Sequence, residues 1–199
     1  RRDPAAATHV VLDALRRPED PRHRRHIDLA RAGDKHFVTV LAAGFDAKVN
    51  ERANAMTWPH GQMRYNIATL AELRTFTPIS YTLDLDGETR SLEAMMVAVG
   101  NGPSFGGGLR ITEGALLDDG LLDLVVVGPL SPLRALWGVR RLFNGTIDQE
   151  PDVSMRTASS ITISAEQPIR FHVDGEVVEG SEPLTATVHP GALRVRVPG

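Results

Sequence analysis

The sequence predicts a mainly β protein: an antiparallel β-sandwich with two or three packed helices. Strand-like runs outnumber helical ones, and short turns join most neighbouring runs. Turns of hairpin length favour antiparallel over parallel pairing. The chain has 199 residues, of which 42% are hydrophobic and 24% charged. A chain of this size and composition can bury a sizeable core without disulfides or a metal.

Each element follows from a local pattern. Proline at a first helical position begins two of the three expected helices, and apolar residues at three- and four-residue spacing define the third. The expected helices cover residues 5–15, 62–76 and 131–143. Alternating or continuous apolar runs next to turn residues predict the strands. The expected strands cover residues 27–30, 37–41, 80–85, 94–99, 124–127, 160–164, 169–173, 184–189 and 193–197. Residues 27–41 are expected to form one hairpin, after a polar linker at residues 18–26.

Composition excludes several classes of protein. The net charge is −3 and the isoelectric point is near 6.2, which argues against nucleic acid as a partner. The chain has no apolar run of the ~20 residues that a membrane helix needs, and it lacks a signal-peptide layout. It has no cysteine, so disulfides and thiolate metal sites are excluded. Its first residue is not Met, and we expect it to be part of a longer protein.

Three segments could carry chemistry. Residues 99–108 are rich in glycine and could cradle an anion or form an irregular loop at a sheet edge. Residues 115–123 carry three carboxylates, Asp118, Asp119 and Asp123, which could hold a hard cation or form a solvated turn. The third is Asp-Gly-Glu, which occurs at residues 86–88 and again at 174–176. Asp-Gly favours a type I′ hairpin turn, but Phe171-His172-Val173 before the second copy could project a carboxylate from a buried strand.

These segments and two others occur in the order found in one known family. The motifs are Ala43-Gly44-Phe45-Asp46-Ala47, a helix near Arg64-Tyr65, Leu85-Asp86-Gly87-Glu88, Val99-Gly100-Asn101-Gly102, Gly106-Gly107-Gly108, residues 115–123 and Val173-Asp174-Gly175-Glu176. Together they resemble the C-terminal domain of bacterial diacylglycerol kinases, which are related to sphingosine and ceramide kinases. The resemblance covers residues 24–199.

The resemblance implies the second domain of a two-domain lipid kinase. Residues 1–23 would then be a stub of the N-terminal nucleotide-binding domain and a linker, and residues 24–199 the β-sandwich domain. ATP would be bound mainly by the N-terminal domain, through a Gly-Gly-Asp-Gly-Thr loop that this chain lacks. We therefore expect no kinase activity from these 199 residues alone. The resemblance also implies a cytoplasmic protein, peripheral at the membrane, with a possible homodimer.

The same resemblance implies the site residues. Asp174 matches the aspartate proposed as general base on the lipid hydroxyl, and Glu176 matches its neighbour in the motif. The Asp119 carboxylate and the main-chain oxygens of Leu116 and Leu121 match a structural Mg²⁺ site. Glu113 replaces a proline that related sequences often carry, which affects the stiffness of that loop.

A lipid substrate needs an apolar slot and a surface that faces the membrane. Phe45, Met56, Trp58 and Met63 cluster in sequence and could form the slot, or they could be core under a loop. Basic residues nearby could contact anionic headgroups. These are Arg22, Arg24, Arg25, Arg52 and Arg64. The substrate is expected to be diacylglycerol. The alternatives are another hydroxylated lipid, such as a sphingoid base or glycolipid, or a non-catalytic β-sandwich binding module.

Overall fold

The computed structural model confirms a mainly β protein built from two antiparallel sheets. It describes residues 4–17, 20–72, 77–104, 110–131, 134, 137–138, 140–141, 144–166, 170–179 and 183–197. The helices are α1 (Pro4–Arg16), α2 (Phe45–Ala55) and α3 (Gln62–Glu72), with short 3-10 turns at Pro21–His23 and Ile147–Gln149. The strands are β1 (Arg24–Ala32), β2 (Lys35–Phe37), β3 (Val40–Gly44), β4 (Ile79–Leu85), β5 (Glu88–Ala94), β6 (Met96–Gly100), β7 (Leu122–Val127), β8 (Val153–Ala158), β9 (Ser160–Ala165), β10 (Arg170–Val173), β11 (Glu176–Glu179) and β12 (Leu184–Arg196).

Each sheet has six strands. The order in the first sheet is β2-β1-β12-β9-β4-β5, and in the second it is β11-β10-β3-β6-β7-β8. One apolar core joins the two sheets, with Phe37 and Tyr81 from the first and Leu41 and Phe171 from the second. All four are at most 1% exposed. Burying an aromatic side chain of this kind contributes about 1.5–3 kcal/mol.

The chain crosses between the sheets at three short breaks within the described residues. One break lies at Val38–Thr39, between β2 and β3, and another at Met95, between β5 and β6. The third lies at Ser159, between β8 and β9. A strand that changes sheet must leave its ladder, so the peptide groups at each break need other hydrogen-bond partners. Two of these breaks receive them from the Asp-Gly-Glu turns.

The crossings correct two of the strand predictions. The strand expected at 37–41 is divided, because β2 ends at Phe37 and β3 begins at Val40 in the other sheet. The expected hairpin therefore comprises β1 and β2 alone. The strand expected at 94–99 is also divided, because β5 already runs over Glu88–Ala94 and β6 begins at Met96. A continuous apolar run cannot show a sheet change, since both halves are buried.

The two strands expected at 184–189 and 193–197 are one strand, β12. Pro190 and Gly191 imitate a turn in sequence, but they form a bulge where the register with β1 shifts between Ile27 and Leu29. The bulge is held by the carboxylate of Asp28, which accepts the Gly191 N–H at 2.7 Å. The linker expected at 18–26 is also shorter than predicted, because β1 begins at Arg24.

Helix α2 and strands β5, β8 and β11 were not among the expected elements. Of the helix expected over residues 131–143, the structure describes isolated helical positions, and Trp137 among them is 65% exposed rather than packed. Its other predicted apolar positions, Leu133, Leu136 and Phe143, lie outside the described residues. Among the described helices, none is long and apolar enough to cross a membrane.

Candidate functional site

The second Asp-Gly-Glu motif forms the tight turn between β10 and β11. Asp174 and Gly175 have φ angles of 48° and 90°, the pair of positive values that a type I′ turn requires. Val173 and Glu176 face each other across the turn. Asn50, buried on α2, donates to the carbonyl of Gly175 at 3.0 Å. The turn is therefore fixed from both the strand side and the helix side.

The carboxylate of Asp174 holds the break between β2 and β3. Its Oδ2 accepts the N–H of Val38 at 2.9 Å, and its Oδ1 accepts the N–H groups of Thr39 and Val40, each at 3.0 Å. The Thr39 hydroxyl also donates to Oδ1. In return, the N–H of Asp174 donates to the carbonyl of Val40 at 2.9 Å. Four donors thus converge on one carboxylate.

These donors keep Asp174 ionised. Partial burial of the carboxyl opposes ionisation and raises its pKa, but the hydrogen bonds from Thr39, Val38 and Val40 favour the charged form and outweigh the burial. The net effect is a pKa below the ordinary value of 3.8. Hydrogen bonds to a carboxylate lower its pKa because they are lost, or turned repulsive, when it takes a proton. Asp174 is therefore an anion at any physiological pH.

A small pocket opens beside this turn. Its volume is about 220 Å³, and it is lined by Lys35, His36, Val173, Asp174 and Glu176. The fold thus brings the two predicted catalytic carboxylates to one pocket. It also adds Lys35 and His36, which the sequence analysis missed. They belong to no motif, and they reach the pocket because β2 lies beside β10 in space.

The predicted cation loop, residues 115–123, is anchored by Asp28, a residue that the sequence analysis also missed. Asp28 is 1% exposed. Its N–H donates to the Leu117 carbonyl at 2.6 Å, and its Oδ2 accepts the Gly120 N–H at 2.7 Å. A buried carboxylate is costly unless both oxygens are hydrogen-bonded. Here the second oxygen is satisfied by Gly191 in the β12 bulge.

The loop concentrates negative charge. Asp119 is exposed, and its Oδ1 accepts the Leu121 N–H at 3.0 Å. Burial raises the pKa of Asp123, and the charge of Asp119 raises it further, to about 6. A carboxylate whose ionisation is opposed by burial and by a neighbouring negative charge, as that of Asp123 is, is stabilised by a nearby cation. Asp118, by contrast, is paired with Arg25 at 2.8 Å.

The donor set of this loop fits magnesium better than a transition metal. Among the described residues, no group of three or more His, Cys, Asp or Glu side chains could hold a metal ion. A site here would depend on the exposed Asp119 carboxylate, main-chain oxygens such as those of Leu116 and Leu121, and water. Mg²⁺ is commonly bound by one or two carboxylates and several waters.

The predicted apolar cluster divides into two parts. Phe45 and Met56 are partly buried and pack on a small core between α2 and α3, so they are core residues. Trp58 and Met63 are 74% and 59% exposed. Ile67, one turn beyond Met63 on α3, is 40% exposed. We refer to these three exposed side chains, two on α3 and Trp58 just before it, as the α3 apolar face.

Most of the predicted basic residues have partners within the chain. Arg22 pairs with Asp20, and Arg52 pairs with Glu72. Arg64 donates to the Pro59 carbonyl at 3.1 Å. The two ion pairs lie at the surface and are weak, so Arg22 and Arg52 can still bind anionic groups. The glycine triplet at 106–108 lies outside the described residues.

Fold and site together define a two-sheet sandwich domain that presents a caged carboxylate at an open pocket. Residues 39–197 match the family model described as the YegS C-terminal NAD kinase beta sandwich-like domain. The chain therefore belongs to the diacylglycerol kinase/YegS lipid kinase family, as its C-terminal β-sandwich-like domain.

Individual relatives agree with this assignment. A protein from Mycobacterium tuberculosis named diacylglycerol kinase is 38% identical over 206 residues, covering 99% of this chain and 62% of the relative. The protein named probable lipid kinase YegS from Salmonella newport is 30% identical over 174 residues, covering 86% and 56%. A crystal structure of a diacylglycerol kinase from Bacillus anthracis shares the fold at a TM-score of 0.60 and 20% identity, covering 88% of this chain and 54% of that chain. This chain thus spans about three fifths of the length of these relatives.

Proposed function

We propose that this chain is the acceptor-binding and base-bearing domain of an ATP-dependent lipid kinase. The favoured acceptor is diacylglycerol, whose free hydroxyl would become the phosphate monoester of phosphatidic acid. The observation that carries the proposal is the Asp174 carboxylate, kept ionised at the edge of a pocket that it shares with Glu176. The substrate is favoured by the name of the M. tuberculosis relative, which is 38% identical.

Asp174 has the properties that phosphoryl transfer asks of a base. The transition state is loose, so the attacking hydroxyl needs a carboxylate in hydrogen-bond reach more than it needs a strong base. The hydroxyl would donate to Asp174, and its proton would pass to that carboxylate as the new O–P bond forms and the bond to ADP breaks. The four hydrogen-bond donors at residues 38–40 fix the direction of the carboxylate before the substrate binds, which lowers the entropic cost of orienting it in the reaction.

The other pocket residues take supporting roles in this proposal. Glu176 would hold the acceptor or receive the proton onward from Asp174. Lys35 and His36 border the same pocket. The Lys35 ammonium would offset the negative charge that the transferred phosphoryl group brings, and the His36 ring would offer a hydrogen bond to it. Mg²⁺, held by Asp119 and the carbonyl oxygens of Leu116 and Leu121, would supply ordered water and a positive field. ATP would be held by a nucleotide-binding domain outside these 199 residues.

The membrane is proposed as the place where this enzyme meets its substrate. The α3 apolar face exposes an indole and two aliphatic side chains, a combination that suits the boundary between lipid headgroups and acyl chains. Replacing Trp58 by Ala in the complete protein should weaken binding to anionic vesicles. Trp137→Ala is the matched control, since that tryptophan is also largely exposed, at 65%. Equal loss in both variants would contradict a role for the α3 face.

The main test measures transfer of phosphate from labelled ATP to diacylglycerol in mixed micelles, using the complete protein. Asp174→Asn should lower kcat about 100- to 10,000-fold, the usual contribution of a positioned base. Retained turnover in a folded Asp174→Asn protein would instead support a non-catalytic β-sandwich module. A panel with sphingoid bases and glycolipids in place of diacylglycerol tests the acceptor.

A further inference from the structure

The peptide groups that hold Asp174 are themselves held from the opposite end by Asn101. Asn101 follows β6 and is 0% exposed. Its side-chain Nδ2 donates to the Val38 carbonyl at 3.2 Å, and its backbone N–H donates to the Thr39 carbonyl at 2.9 Å. The N–H groups of the same two peptide units, those of Thr39 and Val40, point at the Asp174 carboxylate.

Each of these peptide groups therefore forms part of a short chain of hydrogen bonds. The chain runs from an Asn101 donor to a carbonyl, through the peptide unit, and from its N–H to the Asp174 carboxylate. Donation to the carbonyl polarises the peptide and strengthens its N–H as a donor. The contacts of Asn101 thus both aim the donors at Asp174 and increase their effect on it.

Asn101 also connects this cage to the cation loop. The same Nδ2 donates to the main-chain carbonyl of Asp28 at 3.0 Å. Asp28 in turn holds the loop at Leu117 and Gly120. A single buried amide therefore bridges Asp28, which anchors the loop that carries Asp119, and the residues whose N–H groups hold Asp174. The orientation of the amide is fixed by chemistry, because only its NH₂ end can donate to two carbonyls.

The molecule contains a natural comparison for this arrangement. At the first Asp-Gly-Glu turn, Asp86 cages the crossing at Ser159 in the same way, and the Ser159 carbonyl accepts a backbone N–H from Val188 at 3.1 Å. Val188 thus stands where Asn101 stands, but its side chain has no donor. The extra amide belongs only to the turn that lines the pocket.

The side-chain amide of Asn101 carries a free-energy cost, because one of its polar atoms is buried without a partner. Asn101 Oδ1 is buried and has no hydrogen-bond partner among the described residues. An unsatisfied buried acceptor costs about 1–3 kcal/mol. A valine, as at position 188, would remove this acceptor together with the two hydrogen bonds that the amide donates to the Val38 and Asp28 carbonyls. A buried polar atom without a partner calls for an explanation, and a functional role for its residue is one such explanation.

We propose that Asn101 is a positioning residue for the Asp174 carboxylate. It fixes the peptide donors that aim and ionise this group, and it couples them through Asp28 to the loop at residues 115–123. The catalytic part of this inference rests on the proposed function, whereas the coupling between Asn101 and Asp174 does not.

The first test uses the protein without a substitution at Asn101. Nuclear magnetic resonance follows the backbone and side-chain amide signals of Asn101 while the pH is lowered through the titration of Asp174. The neighbouring groups Lys35, His36 and Glu176 line the same pocket, so the experiment is repeated with His36→Gln and Glu176→Gln. We expect the Asn101 signals to move with the midpoint of the Asp174 carboxyl. If the Asn101 signals show no change at this midpoint in the parent or in either variant, the proposal is wrong.

The second test replaces Asn101 by Val, the residue found at the other turn. Thr112→Val is the matched control, because Thr112 is also buried and donates one hydrogen bond, at 2.7 Å, to Gly102. In Asn101→Val the Asp174 titration should move up toward its ordinary range, and kcat should fall about 10- to 100-fold with little change in KM. The acid limb of the kcat profile should move to higher pH by the same amount. Thr112→Val should change none of these.

The outcomes separate the two proposals. If the complete protein without substitutions has no lipid kinase activity but Asn101→Val still shifts the Asp174 titration, the proposed function fails and the coupling stands. If the protein is active and a folded Asn101→Val variant keeps both the titration and the pH profile, the inference is wrong. Should Asn101→Val not fold, Asn101→Ser, which keeps a small donor, is measured in its place and is expected to give a smaller shift in the same direction.

Discussion

The two Asp-Gly-Glu turns of this domain have the same local geometry and different surroundings. Asp86 and Asp174 have φ angles of 49° and 48°, and the glycines that follow have 95° and 90°. Each aspartate accepts backbone N–H groups and a hydroxyl from a point where the chain changes sheet. Each also donates its own N–H to the first strand residue after the crossing, Ser160 or Val40. Both turns are clamps on a sheet crossing.

The difference lies in what surrounds each clamp. The Asp174 turn borders a pocket with Lys35, His36 and Glu176, and its donors are held from behind by Asn101. The Asp86 turn, in the other sheet, has Val188 in the corresponding place. The contacts that stabilise the crossing at Val38–Thr39 also fix and ionise the Asp174 carboxylate. Under the proposed function, the same contacts would serve both stability and catalysis. The predictions below separate these two roles.

The largest expected effect separates the turns by activity. Asp174→Asn and Asp86→Asn each replace one acceptor oxygen by an NH₂ group that faces an N–H donor, so both variants should unfold at lower temperature than the parent. Only Asp174→Asn should lose lipid kinase turnover, by about 100-fold or more, while Asp86→Asn should stay within about twofold, as expected for a residue outside the site. Steady-state kinetics with thermal unfolding measures both. Equal losses of turnover would mean that both turns act through stability alone.

The second effect is a dependence on pH. Both turns should make the folding stability depend on pH, whereas only the Asp174 turn should make the turnover depend on it. The pKa of Asp86 is lowered by hydrogen bonds from Ser159 and Ser160, and that of Asp174 is lowered on balance despite burial. A group whose pKa is lower in the folded state stabilises the fold above its unfolded pKa. This contribution is lost as the pH falls through the folded value, here below about 3.8.

Urea unfolding across the acid range checks this second effect. Either Asp→Asn variant should reduce the slope of stability against pH below pH 4, because an amide does not titrate there. In the parent, turnover measured in brief assays should not fall until the pH reaches the acid range in which Asp174 takes a proton. An acid limb of turnover that reflects a carboxyl with an ordinary or raised pKa would contradict the role of Asp174.

The third effect is equal for the two turns. Gly87→Ala and Gly175→Ala introduce a Cβ that meets nothing within 4 Å at either site, so steric contact adds no cost. What remains is the strain of a left-handed φ, about 1–2 kcal/mol for a residue with a Cβ. Chemical denaturation should give the same loss for both variants. A clearly larger loss at Gly175 would show that the pocket turn carries more strain than its counterpart.

The smallest effect concerns the two hydroxyl donors. Thr39→Val removes one of the four donors to Asp174 and keeps the backbone shape, so it should cost about 1 kcal/mol of stability. It should also lower kcat by less than about tenfold, because the backbone donors remain. Ser159→Ala, its counterpart at Asp86, should destabilise the fold without changing kcat. Thermal unfolding and kinetics on the pair distinguish these outcomes.

Much of the site was readable from the sequence. Asp-Gly predicted both turns, because few other dipeptides accept two successive positive φ angles. The order of the motifs pointed to the family, and so to Asp174 and Glu176. The sequence could not show which groups meet these carboxylates. Lys35 and His36 reach the pocket from an edge strand, and Asp28 sits 92 residues before the glycine that it holds.

The errors in the fold prediction have one physical cause. The divided strands at 37–41 and 94–99 and the continuous strand at 184–196 all concern where the chain leaves or keeps a ladder. That choice depends on whether a distant residue satisfies the freed peptide groups, as Asp174 does at Thr39 and Asp28 does at Gly191. The hydrophobic pattern of a sequence predicts which residues are buried, but it does not predict which of the two sheets they belong to.

The sequence by itself determined the class of fold, the two hairpin turns and the family, because these depend on composition, on the conformational preferences of Asp-Gly and on the order of motifs. Only the tertiary structure decided that one turn lines a pocket and the other does not. It also decided that Asn101 supports the first of them while Val188 stands behind the second. The physical reason is that the pKa and the orientation of a carboxylate depend on its hydrogen-bond donors. Here those donors are distant in the sequence, and only the packing of the fold brings them to the carboxylate.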